Sequence, residues 1–220
     1  MVTTTSTDHP LARATRRHLL AAASAALLLA ACGERAGSGK ATNTPKFKSV
    51  DITGANFARS LNLIDAATGE RRTLESYRGK VTLFFFGYMF CPDYCPTTMT
   101  MLNQAFAKMR PEDVAKVQVV FVTVDPKRDK PEELVQYVRA FHPSFSALWG
   151  SEEEIAATAK EWKIVYQKAQ VKDEFTYLVD HSTQMYVFDA QGRLRLMIKH
   201  EAGPEVIAED LTTLVRTTAG

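Results

Sequence analysis

Two cysteines, Cys91 and Cys95, have the residue types and the spacing to carry chemistry. They follow a hydrophobic strand pattern that runs to residue 86, and a short loop leads from them towards a helix. A thiol at a strand-to-helix junction meets the positive end of the helix dipole, which lowers the pKa of the thiol. Because a thiolate is a redox nucleophile and a ligand for soft metals, we expect the function at this pair.

Three residues separate the two cysteines. Residues i and i+4 of a helix share one face, with Cβ atoms roughly 5–6 Å apart. Thiols at that distance can chelate one ion or, after a small adjustment, form a disulfide. Pro92 and Pro96 stiffen the loop, so the geometry is partly set before any ligand arrives. The spacing alone leaves a structural disulfide, a redox pair and a metal site as open interpretations.

Imidazole is a natural third donor for a copper site that already has two thiolates. Three histidines follow the N-terminal segment: His142, His181 and His200. His142 ends a predicted helix, where a cation suits the negative end of the dipole, which favours a structural role. His181 precedes a predicted strand at the edge of the presumed site, whereas the sequence names no partner for His200.

The N-terminus has the pattern of an export signal. Arg16 and Arg17 precede an apolar run that is too short for a permanent membrane helix. Residues 29–33 resemble a bacterial lipobox around Cys32, and the arginine pair resembles a twin-arginine signal. We expect residues 1–31 to be an export signal and lipidated Cys32 to anchor an extracytoplasmic domain, in the periplasm or at the cell exterior, to a bacterial membrane. The alternative is an uncleaved or conventionally cleaved signal.

The numbers of charged residues and cysteines limit the kinds of partner expected for this chain. The chain has 27 basic and 25 acidic residues, and removal of residues 1–31 would leave 24 of each. This balance gives no indication of nucleic-acid binding. Lipidation of Cys32 would leave Cys91 and Cys95 as the remaining thiols, and outside the cytoplasm such a pair either oxidises or holds a metal.

Hydrophobic periodicity predicts one α/β domain at residues 49–220, after a flexible Gly/Ser/Ala/Thr/Lys tether that extends from Cys32 to residue 48. Predicted strands lie at residues 57–65, 72–74, 80–86, 117–124, 145–149, 164–169, 174–179, 184–188 and 193–198. Predicted helices lie at residues 97–108, 131–141, 151–162 and 204–217. This order predicts a thioredoxin-like fold with a mixed sheet, an N-terminal hairpin and a small two-stranded excursion before His181.

Three blocks resemble, in order and spacing, the signatures of the Sco/SenC family, and the likeness spans about residues 50–217. They are residues 86–98 with both cysteines, residues 122–131 with Asp125 and Pro126, and residues 177–182 with Asp180, His181 and Ser182. The resemblance implies a thioredoxin-fold protein that binds one copper ion, as Cu(I) or Cu(II), through Cys91, Cys95 and His181. It gives Asp125 a supporting role.

The Sco/SenC resemblance also implies partners. Proteins of this family help to assemble the dinuclear copper centre of cytochrome c oxidase, as metallochaperones or as reductants of its cysteines. The expected partner is therefore the copper-site subunit of that oxidase, with another periplasmic copper chaperone or thiol reductant as a second. We expect a monomer, since delivery is transient.

Two rival functions use the same residues. In a general thiol-disulfide oxidoreductase, Cys91 would attack a partner disulfide and Cys95 would resolve the mixed intermediate. A redox or copper sensor would use the same three ligands. A peroxiredoxin-type peroxidase is disfavoured, because Pro96 and Thr97 follow Cys95 instead of preceding the reactive cysteine.

Four other residues have both a functional and a structural interpretation. Asp93 could support the metal site or cap the helix that follows it. Met89 and Phe90 stand where many family members have Thr-His. Met89 could be a weak soft ligand, but we expect it to pack under the loop. Tyr88 and Phe90 could form an apolar rim that docks a partner, or they could belong to the core.

Overall fold

A computed structural model describes residues 45–217 of the chain. Its strands are β1 (Val50–Asp51), β2 (Leu63–Asp65), β3 (Arg71–Arg72), β4 (Val81–Gly87), β5 (Val117–Thr123), β6 (Ser146–Trp149), β7 (Tyr166–Ala169), β8 (Leu178–His181), β9 (Met185–Phe188) and β10 (Leu194–Ile198). Its α-helices are α1 (Tyr94–Ala107), α2 (Pro111–Val114), α3 (Pro131–Phe141), α4 (Glu152–Glu161) and α5 (Gly203–Thr217), with 3-10 turns at Leu74–Tyr77 and His200–Ala202. The predicted export signal and Cys32 lie outside the described residues.

Eight strands form one mixed sheet in the order β1-β10-β9-β4-β5-β6-β2-β3. The central strands β4, β5 and β6 are parallel, while β9 pairs antiparallel with β4 and β10 pairs antiparallel with β9. All seven residues of β4 are buried, as expected for a continuous apolar run that is covered on both faces. The predicted thioredoxin-like α/β class with a mixed sheet is confirmed.

Helices and aromatic side chains cover the sheet and build the core. Helix α1, which carries Cys95, packs against α3 and α5. Trp162 is fully buried, contacts the rings of Phe84 and Phe188, and donates its indole N–H to the carbonyl oxygen of Ser60 at 2.8 Å. Helix α4 begins with a cap, because Ser151 and Glu154 form a reciprocal capping box. The end of β4 and the start of α1 therefore rest on a packed framework.

Two predicted strands differ from those observed. The first hairpin strand begins at Leu63, because the backbone N–H groups of Ala58 and Arg59 donate to Glu161 instead of to a neighbouring strand. The second strand of the excursion begins at Leu178, because Asp173 accepts backbone hydrogen bonds from Phe175 and Thr176 and so forms a turn. The predicted two-stranded excursion is present as β7 and β8, and β8 extends to His181, which is its last residue.

The N-terminal edge of the domain is held by hydrogen bonds that the sequence did not indicate. Strand β1 pairs with β10, and the backbone N–H groups of Lys48 and Ser49 donate to the carboxylate of Asp210 on α5. Phe47 packs against the core. Among residues 45–217, no helix is both long and apolar enough to cross a membrane.

Candidate metal centre

Both cysteines lie at the end of β4, beyond the carboxyl edge of the parallel strands. Cys91 is in the loop and is 8% exposed, whereas Cys95 is the second residue of α1 and is fully buried. Both are free thiols. The backbone N–H of Cys95 donates to Cys91 Sγ at 3.4 Å, so the sulfur of Cys91 takes a place that a capping side chain usually fills. Asp93 occupies the N-cap position, but its side chain makes no capping hydrogen bond.

Gly87 provides the space that Cys95 occupies. A Cβ atom built on Gly87 would lie 2.6 Å from Cys95 Sγ and 3.0 Å from Cε2 of Phe121. Any side chain here would push the sulfur or the ring aside. The last residue of β4 is therefore part of the site although it offers no ligand atom.

His181 brings the third donor. Its Nε2 lies 3.4 Å from Cys95 Sγ, and its Nδ1 lies 2.9 Å from the carbonyl oxygen of Ser182. Because a carbonyl oxygen can only accept, Nδ1 carries a proton, which leaves Nε2 as the ring nitrogen that can bind a metal. The ligand atoms of Cys91, Cys95 and His181 lie within 4.8 Å of one another. The structure thus brings together the three residues that were predicted as ligands.

The two thiols differ in acidity because they share a proton. The pKa of Cys91 is lowered, first by the hydrogen bond from Cys95 and then by contacts from His181 and from the backbone N–H groups of Cys95 and Asp93, against the opposing effect of burial. The pKa of Cys95 is raised by its hydrogen bond to Cys91, by burial and by the negative charge of Cys91. Without metal, Cys91 is the thiolate and Cys95 the thiol.

Alkylation of the reduced, metal-free protein tests this asymmetry. We expect iodoacetamide to modify Cys91 and to spare Cys95, because Cys91 is the charged and more accessible sulfur. When the pH is lowered from 8 to 6, the thiolate fraction of an ordinary thiol falls roughly 100-fold, and its alkylation rate falls with it. The alkylation rate of Cys91 should change by no more than about twofold. Peptide mass spectrometry gives both rates. Equal modification of the two thiols, or a 100-fold fall at Cys91, would contradict the assignment.

A cleft of about 380 Å³ opens over the site. Cys91, Tyr94 and His181 line it, so two of the three donors face the cleft, whereas Cys95 is fully buried. Phe90 is 54% exposed and Tyr88 is 2% exposed. Of the two residues considered for an apolar rim, Phe90 is therefore at the surface and Tyr88 is in the core.

Asp125 does not belong to the three-ligand group. It is buried, accepts a hydrogen bond from the Tyr177 hydroxyl at 2.8 Å, and pairs with Nε of Arg128 at 2.5 Å. Met89 packs its side chain against the core, as expected. The carboxylate of Asp125 thus contacts Arg128 and Tyr177 and not the three candidate ligands.

Asp129 is a buried carboxyl that the sequence analysis missed. Its oxygens accept hydrogen bonds from the hydroxyl of Thr123 at 2.6 Å and from the backbone N–H of Met89, two residues before Cys91. Burial raises the pKa of Asp129 to about 7, against the effect of those hydrogen bonds. No local signal marks this residue, because an acidic residue four positions after Asp125 is typical of a solvated loop.

The other two histidines lie outside the three-ligand group. Nδ1 of His142 accepts a hydrogen bond from the backbone N–H of Ser144, and burial lowers the pKa of His142, so its role is structural but not that of a cation at a helix end. Nδ1 of His200 lies 2.9 Å from the hydroxyl of Thr98, and its ring contacts Tyr94. These contacts name the partners of His200 that the sequence left open.

The comparison with known families decides the relationship. The SCO1/SenC family model matches residues 50–216. This chain belongs to the SCO1/SenC family. The resemblance inferred from the three sequence blocks is thereby confirmed, and the match covers the whole of the mixed sheet.

Relatives of this Sco chain occur in bacteria and in mitochondria. SCO2-like protein RP587 of Rickettsia prowazekii is 36% identical over 132 residues, which are 60% of this chain and 63% of that protein. Protein SCO1 homolog 1, mitochondrial, of Arabidopsis thaliana is 38% identical over 123 residues, which are 56% of this chain and 36% of that protein. The Sco chain therefore spans from about a third to somewhat under two thirds of the length of these relatives.

Solved Sco structures share the fold. The solution structure of apo Sco1 from Thermus thermophilus superposes with a TM-score of 0.69 at 35% identity, covering 78% of this chain and 99% of that one. The structure of Bradyrhizobium japonicum ScoI with copper bound gives a TM-score of 0.66 at 33% identity, covering 72% and 99%. Both support the thioredoxin-like architecture that the strand order shows.

Proposed function

We propose that this Sco protein binds one copper ion through Cys91, Cys95 and His181 and serves the assembly of the copper centre of cytochrome c oxidase. The observation that carries the proposal is the meeting of two sulfurs and one imidazole nitrogen within 4.8 Å at the base of an open cleft. Copper is here the cargo of the protein. The copper-bound relatives of the same family support this choice of metal.

The donor set fits copper in both oxidation states. Thiolates are soft ligands that favour Cu(I), and imidazole makes Cu(II) acceptable as well. Cys91 is already charged, so binding has to displace a proton mainly from Cys95. His181 would bind through Nε2, because its Nδ1 donates to the carbonyl oxygen of Ser182. An acceptor could then take the ion by stepwise exchange of ligands through the cleft.

Reduction of a partner disulfide is the second candidate, and the acidity of Cys91 favours it. The thiolate of Cys91 would attack one sulfur of the partner disulfide, and the second partner sulfur would leave as a thiolate. Cys95 would then lose its proton, attack Cys91 and release the reduced partner. Two electrons pass to the partner, and Cys91 and Cys95 end as a disulfide. The partner could be the oxidase subunit or a general substrate.

We also propose the cellular setting and the domain plan. Residues 1–31 act as the export signal, Cys32 carries a lipid anchor, and residues 49–220 form the copper-binding domain outside the cytoplasm. A relative with a solved structure, a SCO1/SenC family lipoprotein from Bacillus anthracis, is 25% identical with a TM-score of 0.60 and supports this arrangement. A mass increase on Cys32 in the membrane fraction, lost in a Cys32→Ser variant, tests it.

Copper titration of the reduced domain, residues 41–220, tests the function. We expect one copper per chain, a thiolate-to-Cu(II) absorption band, and loss or change of that band in His181→Ala. The affinity for Cu(II) should fall at least about 100-fold. Loss of a residue that only hydrogen-bonds to a metal ligand costs up to about 100-fold, and His181 is proposed as a ligand itself.

His142→Ala is the matched control, because His142 lies outside the ligand group and should leave the band and the affinity unchanged. Binding without a fixed stoichiometry, or binding equal in the wild type and in His181→Ala, would overturn the copper assignment. In that case the thiol-disulfide reaction becomes the better account of the two cysteines.

A further inference from the structure

We propose that Arg128 is the positioning residue for His181: its buried guanidinium holds the segment that leads into β8, and so places the imidazole beside Cys95. This inference rests on the proposed function, since it concerns the same metal site. Arg128 lies outside the three-ligand group, and its side chain is only 7% exposed. An arginine is rarely buried to this extent without a partner that requires it.

Strand β8 needs such a tie because it is not part of the main sheet. Within the part of the chain that the structure describes, β8 pairs only with β7, in a separate two-stranded sheet. An isolated pair of strands is marginally stable in water. The position of His181, at the end of β8, therefore depends on side chains that connect this small sheet to the rest of the domain.

Arg128 makes this connection through three kinds of contact. Its Nη1 donates to the carbonyl oxygens of Tyr177 at 2.8 Å and of Phe175 at 3.2 Å. Its guanidinium stacks on the ring of Tyr177, with Cζ 3.6 Å from the ring centroid. Its Nε pairs with Asp125, which also accepts the hydroxyl of Tyr177. Asp125, Arg128 and Tyr177 thus form a closed network, named below the Arg128 bracket.

Because the chain from Tyr177 to His181 is extended, fixing the position of Tyr177 also fixes the position of the imidazole. Alternate residues of a strand point to the same face, so Val179 and His181 of β8 share one face, and Tyr177 directly precedes this strand. Tyr177 and Val179 are buried, and the backbone N–H of Val179 donates to the hydroxyl of Tyr88 at 3.1 Å. His181 lies four positions after Tyr177, a reach of roughly 13 Å in extended chain. A shift at Tyr177 therefore moves His181 relative to Cys95.

Arg128 also touches the cysteine side of the site. Its Cζ lies 5.0 Å from the ring centroid of Phe90, which directly precedes Cys91, and 5.7 Å from that of Tyr88. One side chain therefore contacts both the loop that holds Cys91 and the segment that holds His181. A lysine would keep the charge but lose the planar fork and most of the stacking.

The test is Arg128→Lys, measured alone and combined with His181→Ala in the full chain. We expect Arg128→Lys to weaken Cu(II) binding about 10- to 100-fold and to shift the thiolate-to-Cu(II) band. If Arg128 acts through His181, it should have little further effect once His181 is alanine, so the two losses should not add. A merely structural arginine would give additive losses and an unchanged band.

Arg195→Lys is the matched control. Arg195 is also largely buried and paired with a buried carboxylate, Asp189, but it lies on β10 and donates to Thr53. The Arg195→Lys variant should be less stable to unfolding, as Arg128→Lys is, but its thiolate-to-Cu(II) band should be unchanged. Equal effects of the two lysine variants on the band would overturn the proposal.

A metal-free readout separates this inference from the copper proposal. In the reduced apo protein, Arg128→Lys should speed amide hydrogen exchange at Val179 and Asp180 at least 10-fold more than Arg195→Lys does. Unchanged exchange there would overturn the positioning role even if copper binds. Should Arg128→Lys not fold, Tyr177→Phe removes one bond of the Arg128 bracket and is expected to show the same non-additivity with His181→Ala, to a smaller degree.

Discussion

Gly87→Ala is expected to abolish tight copper binding and to lower the free energy of unfolding by about 1–3 kcal/mol, the usual cost of an overpacked core. The new Cβ would lie 2.6 Å from Cys95 Sγ, a distance that forces the sulfur to move. Because Cys95 Sγ lies 3.4 Å from Nε2 of His181 and within 4.8 Å of the Cys91 sulfur, its displacement disturbs the grouping of the three donors. We expect the affinity for copper to fall at least about 100-fold, measured by competition with a chelator.

Gly150→Ala supplies the control for this prediction. Its Cβ would meet Leu63 Cδ2 at 2.9 Å, a similar crowding in another part of the sheet. We expect a comparable loss of stability in urea unfolding, with copper affinity kept. If both alanine variants bind copper as the wild type does, then Gly87 is required only for packing and not for the geometry of the ligands.

Asp129→Asn is expected to change how stability depends on pH. The folded state raises the pKa of Asp129 from an ordinary 3.8 to about 7, because burial disfavours the charge. Between these values the folded protein holds a proton that the unfolded chain has released, so this group stabilises the fold at low pH and loses that effect as pH rises through 7. The shift corresponds to at most about 4 kcal/mol. Asparagine resembles the neutral acid and does not titrate.

Urea unfolding of the reduced apo protein from pH 4.5 to pH 7.5 measures this effect. The stability of the wild type relative to Asp129→Asn should fall steadily across that range, and the cysteine contributions cancel in the difference between the two proteins. Asp113→Asn is the control, because arginines lower the pKa of Asp113 and its contribution should be constant there. If the free energy of unfolding depended on pH in the same way for the wild type and for Asp129→Asn, Asp129 would be charged throughout the range from pH 4.5 to pH 7.5.

The location of Asp129 connects stability to the site. Its carboxyl holds the backbone N–H of Met89 in the loop that leads to Cys91, and its charge adds to the raised pKa of Cys95. An asparagine can still accept the hydrogen bond from Met89. The substitution therefore separates the charge of this residue from its role in holding the loop.

Features that depend on neighbours in the chain were predictable. The long apolar runs of β4 and β5 can only be buried strands, and Ser151 caps its helix through residues three positions away. The hairpin of β9 and β10 follows from alternation on each side of a short turn. The cysteine pair and its place between a strand and a helix were evident for the same reason, because strand, loop and helix are local in sequence.

Features that depend on distant residues were decided by the tertiary structure. Spacing alone could not bring His181 to Cys95, which is 86 positions away in the chain; the family resemblance supplied that prediction. The space left by Gly87, the burial of Asp129 and the Arg128 bracket had no local signal, since each depends on side chains from several elements. Local sequence therefore determined which thiols could react, and only packing of remote segments determined which groups surround them, because contact across the fold is independent of order along the chain.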